Sequence, residues 1–267
     1  MSRLDDCFAA LRARGERALI PFVTSGDPDL GTTAELVLAL ADAGADAIEL
    51  GVPFSDPLAD GPTIQRASER ALRSGASLRR VLELVKGLRP RTDIPVILMG
   101  YANSFYTLGA DAFAEGAREA GVDGLICVDL PPEEGEDLMG AARRCGIDPV
   151  LLAAPTTRPE RLAMLADRTR GFLYYVSLTG VTSARARVGR GVEAAVRQVR
   201  KISEIPVCVG FGVSKPEHAA EIGAYADGVV VGSALIDRLE AASSRESAIT
   251  DAAAFVAALK QPLRARS

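Results

Sequence analysis

The 267-residue chain has one histidine, four lysines and four cysteines, and each shortage removes a class of chemistry. His218 stands alone in the helical run KPEHAAEIG, where it reads as part of a solvated face. A metal centre therefore lacks its usual imidazole ligands, and no nucleophile stands beside a histidine base. The lysines, at 86, 201, 215 and 260, end none of the strand-like runs, so no strand-borne Schiff-base lysine is present. Cys7, Cys127, Cys145 and Cys208 form no CxxC pair, and two of them lie inside apolar runs, which reads as buried free thiols. No apolar run approaches the roughly 18 to 20 residues of a membrane helix. The opening MSRLDDCFAALRARG has no apolar stretch of the signal-peptide kind, so a cytoplasmic protein is expected. A net charge of -4 supplies no overall positive field for nucleic acid or an anionic membrane, so a bound anion requires a local site. No Gly/Ser linker or charge block divides the chain, and residues 1–267 are read as one domain.

Against these absences stand 48% hydrophobic and 25% charged residues, the balance of a folded globular chain. Short β-rich apolar runs alternate with amphipathic helical stretches from end to end, which implies parallel strands joined by crossover helices. Eight runs read as strands, at about 18–24, 47–52, 95–101, 124–129, 149–154, 172–178, 206–212 and 227–232. Their near-continuous apolarity fits strands covered on both faces. Thr32 or Thr33 opens a helix that Gly44 ends, and Ser214-Lys215-Pro216-Glu217 reads as a capping box opening another. AGADAIEL at 43–50, AGVDGLIC at 120–127 and GAYADGVV at 223–230 repeat one phrase of helix end, turn and strand start. That repetition favours an α/β fold of the (βα)8 TIM-barrel type over a doubly wound open sheet. Residues 2–14, with Leu4, Phe8 and Leu11 at helical spacing, add an N-terminal helix that packs on the barrel.

In such a barrel the site lies at the C-terminal ends of the strands. Glu49 stands between Ile48 and Leu50 in an apolar strand, where an ionised carboxylate costs several kcal/mol unless it is paired or functional. Asp60 follows on a long loop stiffened by Pro53, Pro57 and Pro62; alone it reads as an ordinary loop aspartate. Strand seven runs into Gly210-Phe-Gly212-Val-Ser214 and strand eight into Gly232-Ser233, two glycine loops where barrels commonly hold phosphate. Residues 179–190, small and polar and ending in glycines, read as a mobile loop able to close over a ligand. With lysine and metal chemistry removed, acid–base catalysis by Glu49 and Asp60 remains, and any carbon–carbon cleavage has to use the substrate as its own electron sink.

At these residues the chain closely resembles the tryptophan synthase α-subunit family over essentially its whole length. ELGVPFSDPLADGPTIQ at 49–65 is long and specific, and YYVSLTGVT at 174–182, VGFGVS at 209–214 and VVGSAL at 230–235 follow in the right order. The resemblance implies retro-aldol cleavage of indole-3-glycerol phosphate to indole and glyceraldehyde 3-phosphate, with no metal and no cofactor in this chain. It assigns Glu49 as general acid, Asp60 as partner of the indole N–H, and Tyr174 as a further active-site residue. Phe22, Tyr101 and Phe211 then surround the indole, with Met99, Val128 and Leu152 as apolar lining. Phosphate falls to the backbone at Ser183, Gly212, Gly232 and Ser233, and Thr182 helps the loop close beside Asp60. The family pattern has glycine where this chain has Ser183. The resemblance also implies an αββα heterotetramer in which indole passes through a tunnel to the pyridoxal phosphate of a β subunit, with Asp56, Pro57 and Asn103 near the contact. The rival readings are another phosphosugar barrel enzyme, a non-catalytic activator of β, and a stand-alone lyase that releases free indole.

Overall fold

The computed structural model describes residues 2–176, 182–210 and 212–265, and for 182–190 the backbone alone. Eight parallel strands form the barrel: β1 (Ala18–Thr24), β2 (Ile48–Gly51), β3 (Val96–Gly100), β4 (Gly124–Cys127), β5 in two short pieces (Asp148–Pro149 and Leu152–Ala153), β6 (Leu173–Val176), β7 (Val207–Gly210) and β8 (Gly228–Val231). β1 matches its expected run, β5 begins one residue ahead of its run at Asp148, and the other strands lie within theirs with ends trimmed by at most two residues. β1 pairs with both β2 and β8, and pairing continues strand by strand in both directions until it meets at β5. There Val150 N–H donates to Leu125 O (2.9 Å) on one side while Leu151 O accepts from Tyr174 N–H (3.0 Å) on the other. Consecutive residues of β5 thus bond to opposite neighbours, which closes the cylinder and removes both sheet edges.

Alternation along the strands divides the core in two. Ala18, Ile20, Ile97, Ile126, Val150, Phe172, Cys208 and Val230 fill the barrel. Leu19, Val23, Leu50, Leu98, Leu125, Val209 and Val229 face the outer helices. Helix α1 (Arg3–Arg14), started by a capping box in which Ser2 accepts from Asp5 N–H, sends Leu4, Phe8 and Leu11 into the inner cluster. It therefore plugs the N-terminal end of the barrel and leaves the other end for chemistry.

The remaining helices are α2 (Leu30–Asp42), α3 (Pro62–Arg73), α4 (Leu78–Leu88), α5 (Ala102–Tyr106), α6 (Ala110–Ala120), α7 (Glu136–Arg144), α8 (Pro159–Arg168), α9 (Thr182–Val199), α10 (Pro216–Gly223), α11 (Ser233–Ala241) and α12 (Arg245–Lys260). Three boundaries differ from expectation. α2 starts at Leu30, because the Asp29 carboxylate accepts from both Thr32 N–H (2.8 Å) and Thr32 Oγ1 (2.6 Å) and so caps the helix earlier than Thr32. α10 is capped by the extended backbone of Lys215 with Pro216 as its first residue, so Ser214 falls one place too early for a capping box. Instead Ser214 N–H points at Nδ1 of the half-buried His218 (3.4 Å), which is thus not on a plain solvated face. Residues 182–190, expected as loop, form the first half of α9. Alanine and arginine, strong helix formers, outweigh Gly189 and Gly191, which cost about 1 kcal/mol each in a helix interior. Residues 179–181 of that segment lie outside the described residues.

Candidate active site

The C-terminal ends of six strands converge on a cavity of about 330 Å³. β1 contributes Phe22, β2 Glu49, β3 Met99, β6 Tyr174, β7 Gly210 and β8 Val230; Ile64 of α3 and the loops after β7 and β8 complete the wall. A narrower cleft adjoins it, lined by Asp60, Tyr101, Thr24, Ser68 and Val128, and shares Phe22, Ile64 and Met99 with the larger space. The two carboxylates expected to do chemistry therefore line neighbouring spaces that share the apolar wall of Phe22, Ile64 and Met99.

Glu49 is 1% exposed, and neither of its carboxylate oxygens has a hydrogen-bond partner among the described residues. Its register partners are Phe22 on β1 and Ile97 on β3, neither of which can solvate a charge. Burial first, and the charge of Asp60 second, push its carboxyl up from the ordinary 4.5 to about 8. Near pH 7 it is a protonated acid facing the cavity, able to give a proton and take one back.

Asp60 is held differently. Tyr101 Oη donates to Asp60 Oδ2 (3.0 Å) and accepts from Ala59 N–H (3.0 Å), while Gln65 Nε2 donates to the Asp60 carbonyl (2.9 Å). Phe54 stacks on the Tyr101 ring with centroids 5.1 Å apart. Burial raises the Asp60 carboxyl above its ordinary range, and the Tyr101 hydrogen bond opposes that rise. Tyr101 is itself pushed up by burial and then by the Asp60 charge, so it stays a neutral donor. Tyr174 is raised well above its ordinary value by burial and then by Glu49. Its ring needs a glycine opposite: a Cβ on Gly210 would stand 2.5 Å from the tyrosine oxygen.

The far end of the cavity suits an anion. Gly232, Ser233 and Ala234 line it at the start of α11, where Leu235 and Ile236 N–H bond back to Gly232 O and the first amides of the helix have no intrahelical acceptor. Gly212, at φ +46°, turns the chain after β7 so that Val213 and Ser214 join the same wall. One carboxylate, Asp237, also lines this end and accepts from Thr63 Oγ1 (2.9 Å) across to α3.

Of the residues singled out in the sequence, Phe22, Glu49, Met99, Tyr174, Gly212, Gly232 and Ser233 meet in the main cavity, and Asp60, Tyr101 and Val128 meet in the cleft. Leu152 packs against the inner core and lines neither. Phe211 lies outside the described residues, as do the side chains of Thr182 and Ser183, whose backbone forms the first turn of α9. Asp56 and Pro57 line an open groove with Phe54 and Leu58, the latter 93% exposed, whereas Asn103 is exposed apart from that groove on α5. The sequence names Val213 and Ser214 only as part of a glycine loop, and it does not single out Ile64, Ala234 or Asp237. Ile64 had a signal, since it falls at helical spacing with the buried Ala67, Ser68 and Ala71. Asp237 had none. No group of three or more His, Cys, Asp or Glu side chains is arranged to hold a metal ion among the described residues.

The family model described as tryptophan synthase alpha chain matches residues 8–264. The chain is 54% identical over 261 residues to the tryptophan synthase alpha chain of a Geobacter species, covering 98% of this chain and 97% of that one. It is 50% identical over 261 residues to that of Burkholderia thailandensis, covering 97% and 96%. Among solved structures, tryptophan synthase subunit alpha from Legionella pneumophila superimposes with a TM-score of 0.89 at 39% identity and 98% coverage of both chains. A chain of Mycobacterium tuberculosis tryptophan synthase gives 0.90 at 39% identity, with 99% of both covered.

Proposed function

The chain belongs to the tryptophan synthase alpha chain family, and from that premise we propose how its residues divide the work. The subunit is a lyase that cleaves indole-3-glycerol phosphate to indole and glyceraldehyde 3-phosphate, and it works with a β subunit. The observation that carries the assignment of roles is Glu49: buried, without a hydrogen-bond partner among the described residues, and protonated near neutral pH beside the cavity.

Glu49 gives its proton to the indole carbon that bears the glycerol chain. The ring becomes cationic, and Asp60, accepting from the ring N–H, stabilises that charge from a position fixed in advance by Tyr101. The hydroxyl next to the ring then returns a proton to Glu49, the carbon–carbon bond breaks, and its electron pair goes into the ring. Indole leaves with the added proton, the aldehyde forms from the hydroxyl carbon, and Glu49 is restored. Tyr174 and Phe22 wall the reacting atoms. The phosphate is held at the first turn of α11 by the backbone of Gly232 and Ser233, by Gly212, and by the first turn of α9 at Ser183, with Thr182 beside it and Phe211 against the indole. Asp56 and Pro57 in the open groove, and Asn103 apart from it on α5, meet the β subunit of an αββα complex, whose β subunit would hold the pyridoxal phosphate and supply the onward chemistry of indole. No helix among the described residues is long and apolar enough to cross a membrane, and we place the reaction in the cytoplasm.

The test is indole release from indole-3-glycerol phosphate by the purified chain, with and without a β subunit. Release is expected, and its absence in both conditions would overturn the reading. High activity alone, unchanged by β, would favour a stand-alone lyase.

A further inference from the structure

The anion end of the main cavity is walled by Gly212, Val213, Ser214, Gly232, Ser233 and Ala234, and by one charged group, the carboxylate of Asp237. Among the described residues no lysine or arginine lines the cavity. Ser233 and Asp237 are the first and fifth residues of α11, so they share one face of the helix with Cβ atoms about 5–6 Å apart. Helical side chains lean toward the N-terminus, which carries the Asp237 carboxylate back over the first turn. A phosphate held by the amides of that turn therefore sits on the order of 7 Å from it. Thr63 Oγ1 donates to Asp237 Oδ1 (2.9 Å) and holds the group in place from α3. Arg66, close enough on α3 to feel the Asp237 charge, is committed to Glu240 through two hydrogen bonds of 3.1 and 2.8 Å.

We propose that Asp237 is a specificity-determining residue that opposes the second negative charge of the phosphate and so limits the grip on substrate and on the phosphorylated product. The proposal rests on the reading above that the first turn of α11 holds the phosphate. Repulsion scales with the charge of the ligand, so a dianion is opposed twice as strongly as a monoanion. The amides of α11 attract both, and the balance sets the charge preference of the site. Substrate and product carry the same phosphate, so neutralising Asp237 strengthens both complexes alike: KM falls and kcat does not rise. The hydrogen bond from Thr63 gives Asp237 a second role, as a tie between α3 and α11, and the two roles respond differently to ligand charge and to salt.

The test is calorimetric titration of wild type, Asp237→Asn and Thr63→Val with glycerol 3-phosphate, a dianion at pH 8, and glycerol 3-sulfate, a monoanion. Asparagine removes the charge and still accepts from Thr63; valine removes the hydrogen bond and leaves the charge. At about 0.01 M ionic strength Asp237→Asn is expected to bind the phosphate about fivefold and the sulfate about twofold more tightly than wild type. Both gains should shrink to nearly nothing at about 1 M salt, and Thr63→Val should show neither. No gain in Asp237→Asn, the same gain for both ligands, a gain that survives high salt, or an equal gain in Thr63→Val would overturn the proposal. Asp237→Ser, which also removes the charge, should show the same gains and serves if the asparagine variant does not fold. Binding of glycerol 3-phosphate that is equal in wild type and variant sinks this proposal alone, whereas no binding to either protein sinks the phosphate reading with it.

Discussion

Replacing Glu49 by glutamine separates stability from catalysis, because the same burial that makes the residue an acid makes it a liability to the fold. In the unfolded chain the carboxyl ionises at its ordinary 4.5, and in the folded chain only at about 8. Between those values the native state holds a proton that the unfolded state has lost, so stability falls as pH rises, by about 1.4 kcal/mol per pH unit. Below 4.5 the full stability is present, and above about 8 the loss is complete. Glutamine is neutral and nearly isosteric and carries no such term. Glu49→Gln should therefore exceed wild type in unfolding free energy by about 2 kcal/mol at pH 6, about 3 at pH 7 and about 5 at pH 8.5. Urea denaturation of both proteins across that range measures the difference, and turnover in the same samples should be lost. A variant no more stable than wild type at pH 7, or a difference independent of pH, would refute the claim that Glu49 is held protonated by burial.

Other substitutions test other parts. Gly210→Ala puts a methyl 2.5 Å from the Tyr174 oxygen, and kcat/KM should fall at least about tenfold through displacement of that ring. Tyr101→Phe removes the hydroxyl that holds both Asp60 and Ala59 N–H, and kcat should fall about tenfold with a smaller change in KM. Lys260 is 3% exposed and bonds Asp46 (2.8 Å) and the Arg17 carbonyl (3.0 Å). Lys260→Met leaves the half-buried Asp46 carboxylate with the Leu19 N–H (2.7 Å) in place of its cation, and denaturation should show a loss of about 1–3 kcal/mol. Leu58→Ser in the open groove should weaken association with β about tenfold or more, measured by calorimetry.

Much of the fold was legible because a barrel repeats one local pattern, and strands covered on both faces announce themselves as apolar runs. What the runs could not convey was β5, whose two short pieces and split pairing follow from closure of the whole cylinder. Cap positions were less legible: Asp29 in place of Thr32 and Lys215 in place of Ser214 depend on which residue takes an extended backbone. Within the site, Glu49 stood out because a carboxylate interrupts an apolar strand. Asp60 did not, since its anchor is Tyr101, 41 residues away along the chain, and no local pattern links the two. The resemblance to a family located Asp60, and the structure supplied the physical reason for its placement. Asp237 carried no signal, because a carboxylate on a surface helix is ordinary until the fold turns it toward the cavity.

The account rests on Glu49 as the protonated acid, and the pH dependence of indole release from indole-3-glycerol phosphate tests it most directly. kcat measured from pH 6 to 9.5 should fall as pH rises through the region of about 8 where Glu49 loses its proton. Glu49→Gln should release no indole at any pH while still binding glycerol phosphate. A profile flat to pH 9.5, or turnover surviving in Glu49→Gln, would contradict it.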